Sequence, residues 1–172
     1  DGNLVAMGDH KYLLSPTDLM AVEAVPGLIA AGVSCFKIEG RLKGPEYVAL
    51  TTQVYRRAVD AAWAALTGAP APQPPGRAPK ASGAALDAAL QPPAVGGVSA
   101  QALASAQAAV ALDRQQRLEL EQVFARGQDA QYSGLTPGFL AGVQHQRLVR
   151  GRAPRHRGVY IGKVVRVLPP EG

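Results

Sequence analysis

The chain has 172 residues, of which 47% are hydrophobic and 18% are charged, with a formal net charge of +5. Its length allows one domain of ordinary size, and no apolar run approaches the roughly 18 residues of a membrane span. The single cysteine excludes an internal disulfide and a self-contained cysteine-ligated cluster. The sequence begins with Asp1, has no secretory signal pattern and ends just after a strand-like run. We therefore expect an excerpt of a longer intracellular protein with no membrane partner.

The first predicted element is a helix. Residues 15–18 read Ser-Pro-Thr-Asp, the pattern of a capping box in which the serine is the N-cap and the proline takes the first helical position. The pattern continues past a break at Pro26 to Gly32, which supplies the left-handed residue after the last turn. The apolar stripe consists of Leu19, Val22, Leu28 and Ile29.

A β-strand is predicted next, over residues 33–39 with the sequence VSCFKIE. Because successive strand side chains point to opposite faces, Phe36 and Ile38 share one face, and Lys37 and Glu39 share the other. A second helix then opens at Gly-Pro-Glu, residues 44–46, and keeps its apolar spacing as far as Leu66. The order helix, strand, helix favours an α/β fold in which helices cover one side of a sheet.

Lys37, Glu39 and Arg41 are the candidate catalytic residues. If the sheet closes into a barrel, Lys37 and Glu39 face its lumen near the carboxyl end of the strand, where the active sites of such barrels lie. We assign Glu39 the central role, with Lys37 orienting it or balancing its charge and Arg41 contacting an anionic group. A structural ion pair or a solvated edge is an equally weighted alternative, because charged side chains usually lie exposed.

Several segments carry a family resemblance. KYLLSPTDL over residues 11–19, AGVSCFKIEGRLKGPEYVA over 31–49 and VYRRAVDA over 54–61 closely resemble the collagenase-like peptidase family, number thirty-two among the peptidases of unknown catalytic type. LTPGFLAGVQHQ and GRAPRHRGVYIGKV, within residues 135–164, resemble the branch with an extra domain after the barrel. That branch occurs in bacterial and plastid members, so the expected location is the cytoplasm or a plastid.

The resemblance implies a fold and a choice of activities. The fold is the C-terminal part of a TIM-like barrel, which as a whole takes about 250 residues. The family was named for reported proteolysis, but several relatives are required for oxygen-independent hydroxylation of a ribosomal RNA cytidine, of a tRNA wobble uridine or of the ubiquinone ring. The resemblance therefore makes ribosomal or transfer RNA the expected partner.

The resemblance also implies a four-iron iron-sulfur cluster in well-studied members. Most of its ligands would lie upstream of this chain, and in many relatives a further cysteine directly follows the Asp-Leu that corresponds to residues 18–19. Here that position is Met20, whose thioether is a poor substitute for a thiolate. The cofactor of this protein is therefore an open question at the level of the sequence, and Cys35 is interpreted as a small apolar residue.

The remaining chain divides into three predicted parts after a barrel end over residues 1–66. Residues 67–98 are rich in Ala, Pro and Gly and are predicted to be a linker. Residues 99–157 form a helical and basic loop segment, with an Ala-rich helix over 99–111 and a second helix whose N-cap is Asp113. Residues 158–172 alternate as a strand and are predicted to start a β-domain.

Positive charge is concentrated near the end of the sequence. Residues 130–170 contain no Asp or Glu but seven Lys and Arg residues, whereas the rest of the chain has eleven basic and thirteen acidic residues. Such a segment is typical of a site for a polyanion, since Arg makes bidentate phosphate contacts. A solvated basic loop is the equally weighted alternative. The predicted RNA-binding residues are Arg152, Arg155, His156, Arg157 and Lys163.

Three functions follow from these observations. The main hypothesis is an RNA-modifying enzyme that hydroxylates a base, active as the full-length protein and inactive as this chain alone. The first alternative is a peptidase, although the chain lacks a Ser/His/Asp or Cys/His constellation and the HExxH zinc motif. The second alternative is a non-catalytic binding or assembly subunit, which the loss of a cluster ligand at Met20 favours.

Overall fold

The structure is a computed structural model that describes residues 6–8, 11, 17–41, 43–71, 97–123, 125–126, 128–142, 149, 151, 156 and 158–167. The described residues contain both helices and short strands, so the fold is mixed α/β. The α-helices of the described residues are α1 (Val25–Ala30), α2 (Pro45–Thr67), α3 (Ala100–Ala109) and α4 (Arg114–Val123). The strands are β1 (Asp18–Leu19) and β2 (Leu135–Thr136), and 3-10 helices span Val22–Ala24 and Gly138–Ala141.

The chain forms two units. Ala21–Arg117 make up the first, which we call the helical unit, and Asp1–Met20 together with Leu118–Gly172 make up the second, which we call the composite unit. In the helical unit, α1 and α3 both pack against α2. None of the described helices is long and apolar enough to cross a membrane.

The first helix begins later than the capping-box pattern predicts. Asp18 lies in β1, and α1 starts only at Val25, so the prediction that Asp18 belongs to the first helical turn is wrong. Residues 15 and 16 lie outside the described residues. Pro26 falls in the first turn of α1, where a missing N–H costs nothing, and does not break the helix.

The end of α1 follows the prediction. Gly32 has φ of +87°, and its N–H donates to the carbonyl of Ile29 while the N–H of Val33 donates to the carbonyl of Leu28, both at 2.9 Å. These two bonds make a Schellman motif, which satisfies carbonyls of the last turn. The left-handed conformation is the reason that glycine is suited to this position.

The second helix has the predicted face. Pro45 opens α2 and Gly68, with φ of +71°, follows its last residue. The buried positions of α2 are Thr51, Val54, Ala58 and Ala62. Their spacing of three or four residues places them on one side of the helix, where α1 and α3 pack.

Both helices after the predicted linker are confirmed. Ser99 caps α3 by accepting the N–H of Ala102 at 3.1 Å. Asp113 caps α4 by accepting the N–H of Gln116 at 2.8 Å, and the Gln116 side chain accepts the N–H of Asp113 at 3.0 Å, which completes a capping box. Most of the predicted linker, residues 72–96, lies outside the described residues.

The predicted strand over residues 33–39 has no strand partner among the described residues. Phe36 and Ile38 are half-buried and Lys37 and Glu39 are exposed, as alternation of the side chains predicts. A strand exists only through backbone bonds to a neighbouring strand, whereas in this segment the N–H of Val33 donates to the carbonyl of Leu28 in α1. The side chains therefore alternate in exposure as predicted, but among the described residues they do so without backbone hydrogen bonds to a neighbouring strand.

In the composite unit, β1 and β2 pair in parallel, with Asp18 opposite Leu135 and Leu19 opposite Thr136. The N–H of Asp18 donates to the carbonyl of Gly134 at 3.2 Å, and the N–H of Met20 donates to the carbonyl of Thr136 at 2.8 Å. The sequence predicts a strand over residues 158–167, but the structure shows none over these residues. Their apolar side chains lie open to solvent, Ile161 at 98% exposure and Val165 at 96%.

Candidate functional site

The three candidate catalytic residues form a small charged cluster in the helical unit. One carboxylate oxygen of Glu39 accepts the backbone N–H of Arg41 at 2.8 Å, and the other lies 3.8 Å from Nζ of Lys37. The Lys37 and Glu39 side chains are 86% and 66% exposed. An ion pair this exposed contributes about 0–1 kcal/mol to stability, so the fold does not depend on it.

The cluster carries an excess of positive charge. Glu39 is matched by Lys37, and no ion pair of Arg41 forms among the described residues. Nearby, Nζ of Lys43 lies 5.4 Å from the centre of the Tyr47 ring, within the range of a cation–π contact. The exposed Arg41 guanidinium suits contact with an anionic group.

A second polar cluster, which sequence reasoning missed, lies in the composite unit. Asp18 accepts three N–H groups of Arg126: the backbone N–H at 2.9 Å, Nε at 3.1 Å and Nη2 at 3.1 Å. The guanidinium thus meets the carboxylate in a two-pronged arrangement, the geometry that gives such pairs their specificity. The Asp18 side chain is only 21% exposed. Tyr132 strengthens the same region by donating its hydroxyl to Oγ1 of Thr17 at 3.0 Å.

Of the predicted RNA-binding residues, His156 and Lys163 are described. The half-buried His156 forms an antiparallel bridge with Arg126, and its Nδ1 lies 3.1 Å from the backbone nitrogen and 3.0 Å from the carbonyl oxygen of Ala125. Lys163 is exposed within residues 158–167. Arg152, Arg155 and Arg157 lie outside the described residues.

The residues of this chain do not fit a four-iron cluster. Such a cluster takes four cysteine ligands, and the chain has only Cys35, which is exposed. Within the part of the chain that the structure describes, no three His, Cys, Asp or Glu side chains group as metal ligands. The backbone N–H of Met20 extends the β1–β2 pair by donating to the carbonyl of Thr136.

A comparison with family models matches the first part of the chain. Residues 2–75 match the model of peptidase family U32. Residues 2–75, less than half of the chain, are therefore similar to peptidase family U32. The matched segment includes Lys37, Glu39 and Arg41 as well as Asp18, whereas Arg126 and His156 lie beyond it.

Relatives of the chain have names of two kinds. The chain is 51% identical over 62 residues to the tRNA hydroxylation protein P of Haemophilus influenzae, a stretch covering 35% of this chain and 14% of the relative. It is 48% identical over 60 residues to an uncharacterized protease of Methanocaldococcus jannaschii, with 35% and 14% covered. It is 42% identical over 53 residues to a collagenase of Porphyromonas gingivalis, with 31% and 15% covered.

These alignments cover a small part of each relative. The chain spans about 14% of the Haemophilus and Methanocaldococcus proteins. No solved structure matches the chain at a significant level. The similarity to the family therefore rests on residues 2–75, and the activity of the whole protein is a matter of proposal.

Proposed function

We propose that this chain is part of an enzyme that hydroxylates a base of transfer or ribosomal RNA, with Lys37, Glu39 and Arg41 at its catalytic site. The observation that carries the proposal is the geometry of Glu39, which is held by the Arg41 backbone and lies beside Lys37. The Glu39 carboxylate is held in one orientation and its ion pair is exposed and weak. The Arg41 guanidinium is exposed and can contact a phosphate. A tRNA hydroxylation protein is 51% identical over the aligned residues.

The proposed setting for these residues is the C-terminal part of a TIM-like barrel. The parallel pairing of β1 and β2 is consistent with such a barrel, since parallel pairs belong mostly to α/β folds. So is the segment 33–40, which lies between α1 and α2 and keeps strand-like alternation of burial. In a complete barrel the partner strands would exclude water from one side of Glu39, and an intracellular location, cytoplasmic or plastid, accompanies this proposal.

The roles that we propose follow from charge. Glu39 would accept a proton from, or a hydrogen bond of, the reacting base, because an ionised carboxylate can only accept. Lys37 would place a positive charge beside the Glu39 carboxylate. Arg41 would bind a backbone phosphate of the RNA, with bidentate geometry that Lys does not reproduce.

Proteolysis is the second candidate function. It is favoured by one observation, the 42% identity to a protein named collagenase. A peptidase needs an activated nucleophile or a metal-bound water. Among the described residues no group of metal ligands is present, so a metal-dependent peptidase would have to take its ligands from elsewhere in the full-length protein.

The test compares both activities in one full-length protein. RNA from a deletion strain complemented with the wild-type gene is digested to nucleosides, and hydroxylated bases are measured by mass spectrometry. The purified protein is assayed in parallel for cleavage of denatured collagen. Restored hydroxylation without cleavage supports the proposal; collagen cleavage with no change in any RNA nucleoside refutes it in favour of a peptidase. Absence of both activities, with RNA or a partner protein still bound, indicates the non-catalytic alternative.

A further inference from the structure

The Lys43–Tyr47 contact lies at the start of α2, directly after the segment that carries Lys37, Glu39 and Arg41. Nζ of Lys43 is 5.4 Å from the centre of the Tyr47 ring, and both side chains are half-buried. An ammonium within about 6 Å of a ring centre is attracted by the negative face of the ring. The contact therefore restricts a lysine side chain that has many rotamers when it is unrestrained.

The main chain beside Lys43 is held as well. Its N–H donates to the carbonyl of Gly40 at 3.1 Å. A β-carbon built on Gly40 would lie 3.3 Å from Cγ2 of Val48 in α2, so the Gly40 backbone packs closely against the helix. Arg41 follows Gly40 in the sequence, and its N–H donates to the Glu39 carboxylate. Two cationic side chains thus extend from a backbone that is anchored to α2 and to Glu39.

The N-terminal end of α2 has a carboxylate of its own. Oε2 of Glu46 would lie 2.8 Å from a β-carbon built on Gly44, the N-cap residue of the helix. The helix dipole favours a negative side chain in the first turn, and that charge opposes the approach of a second anion to the helix end. A phosphate in this region would therefore be bound by the side chains of Arg41 and Lys43 rather than by the end of the helix.

We propose that Lys43 binds a phosphate of the RNA backbone beside the one that Arg41 binds, and that Tyr47 is the positioning residue that holds the Lys43 ammonium for this contact. The Arg41 guanidinium binds a phosphate with two N–H groups, whereas the Lys43 ammonium acts as a point charge on a flexible stem. The Tyr47 ring limits where that stem can point. Such contacts place a nucleic acid without reading its sequence, so the ligand is the phosphate backbone and not a particular base.

This inference rests on the proposed function, because it assumes an RNA substrate. The alternative is a contact that only stabilises the start of α2. A stabilising contact changes the amount of folded protein, whereas the proposed contact changes how many phosphates each folded molecule neutralises. The salt dependence of binding measures that number, since each neutralised phosphate of a single strand contributes about 0.7 to the slope of log K against log salt concentration.

The experiment measures binding of unmodified tRNA transcript to the full-length protein at several salt concentrations. Lys43→Met should weaken binding about tenfold and reduce the magnitude of the slope by about 0.7, because one phosphate contact is lost. Tyr47→Leu, which removes the ring and keeps the lysine, should weaken binding about two- to fivefold, the range that an exposed cation–π contact gives. Tyr47→Phe keeps the ring face and should bind within about twofold of the wild-type protein.

Arg57→Met is the matched control, because it removes one positive charge from the same helix. Arg57 is exposed and lies twelve residues after Pro45, about 18 Å along the helix axis at 1.5 Å per residue. Charges on the surface are screened over about 8 Å at physiological salt, so a charge at this distance contributes little to binding at the start of α2. The control should bind within about twofold of the wild-type protein, with an unchanged slope.

A double variant tests whether Tyr47 acts through Lys43. If it does, Tyr47→Leu should add little further loss of affinity in a protein that already carries Lys43→Met, because residues that act through one contact are not additive. Additive losses of affinity would overturn the positioning role of Tyr47. Equal losses in Tyr47→Phe and Tyr47→Leu would also overturn it, because they would assign the effect to the hydroxyl. If Tyr47→Leu does not fold, Tyr47→Met takes its place, since it also removes the ring.

The Lys43 variants separate failure of this inference from failure of the proposed function. Lys43→Arg keeps the charge and should keep the slope, whereas Lys43→Met should not. A folded Lys43→Met protein with wild-type affinity and slope overturns the inference and leaves the proposed function standing. A smaller amount of folded protein with unchanged affinity per folded molecule overturns it in favour of a structural contact. A wild-type protein that binds no RNA overturns the proposed function together with the inference.

Discussion

A β-carbon at Gly134 would lie 2.5 Å from the carbonyl oxygen of Arg126. Gly134 also has φ of +84°, a conformation that residues with a side chain rarely adopt. Its carbonyl accepts the N–H of Asp18, so the residue that pairs with β1 is also the one that must approach the Arg126 backbone. The join between β1 and the later part of the composite unit therefore depends on the absence of a side chain here.

We predict that Gly134→Ala destabilises the protein more than the same substitution at a glycine that has a left-handed backbone but no close neighbour. Gly158, with φ of +82° and nothing within 4 Å of its would-be β-carbon, is the matched control in the same unit. Gly158→Ala should cost about 1–2 kcal/mol for the left-handed backbone, and Gly134→Ala a further 1–3 kcal/mol, roughly, for overpacking. Urea unfolding of both full-length variants measures the difference in the free energy of unfolding. Equal losses would show that the Arg126 backbone can move away from the added β-carbon without penalty.

The capping box of α4 gives a prediction about local stability. Asp113→Ala removes the acceptor of the Gln116 N–H and should cost about 1 kcal/mol of the free energy of unfolding. Gln116→Ala should cost less, and the two changes together should cost less than their sum because each side chain caps the backbone of the other. Urea unfolding of the single and double variants tests this; strict additivity would mean that the two bonds form independently.

The sequence predicts the local features of this fold well. The cap at Asp113, the left-handed Gly32 and the buried face of α2 all depend on residues within one or two turns of one another. Asp18 shows where such reasoning fails. Its sequence neighbours predict a helix start, but its carboxylate is satisfied by Arg126, 108 residues later, and the three N–H donors there outweigh a capping role.

The candidate site shows the same division. The exposure of Lys37 and Glu39 opposite Phe36 and Ile38 follows from the period of two. Pairing of residues 33–39 with another strand does not follow from it, because the pattern of one segment does not identify a neighbouring strand. The contact between His156 and Ala125 could not be predicted either, because the two residues are 31 positions apart and no local spacing relates them.

Tyr55 gives a prediction about alkaline pH. Burial raises the pKa of the Tyr55 phenol above its ordinary value of 10.0, an effect that its hydrogen bond from the Ala21 N–H only partly offsets. The neutral phenol is thus favoured in the folded state, so its contribution to stability is present below pH 10 and is lost as the pH rises through the raised pKa.

Replacing Tyr55 by Phe should remove this pH dependence. At neutral pH the variant should lose about 1–3 kcal/mol of stability, because the Ala21 N–H loses its partner at a buried position. Above pH 10 the gap between wild-type and variant should narrow, since only the wild-type protein has Tyr55 to ionise. Unfolding free energies at pH 7, 9 and 11 measure the gap; a gap that widens with pH would contradict the raised pKa.

The last prediction concerns Glu39 and separates a catalytic role from a structural one. Its ion pair with Lys37 is exposed and its other oxygen bonds only the Arg41 backbone, so Glu39→Gln should change the free energy of unfolding by about 0.5 kcal/mol or less. If the carboxylate acts on the RNA base, the same variant should abolish the modified nucleoside in a full-length complementation assay, because the amide keeps the shape and removes the negative charge. Lys37→Met in parallel should reduce modification without abolishing it, since Lys37 supplies only a neighbouring positive charge. Wild-type levels of modified nucleoside from stably folded Glu39→Gln protein would end the catalytic assignment of Glu39.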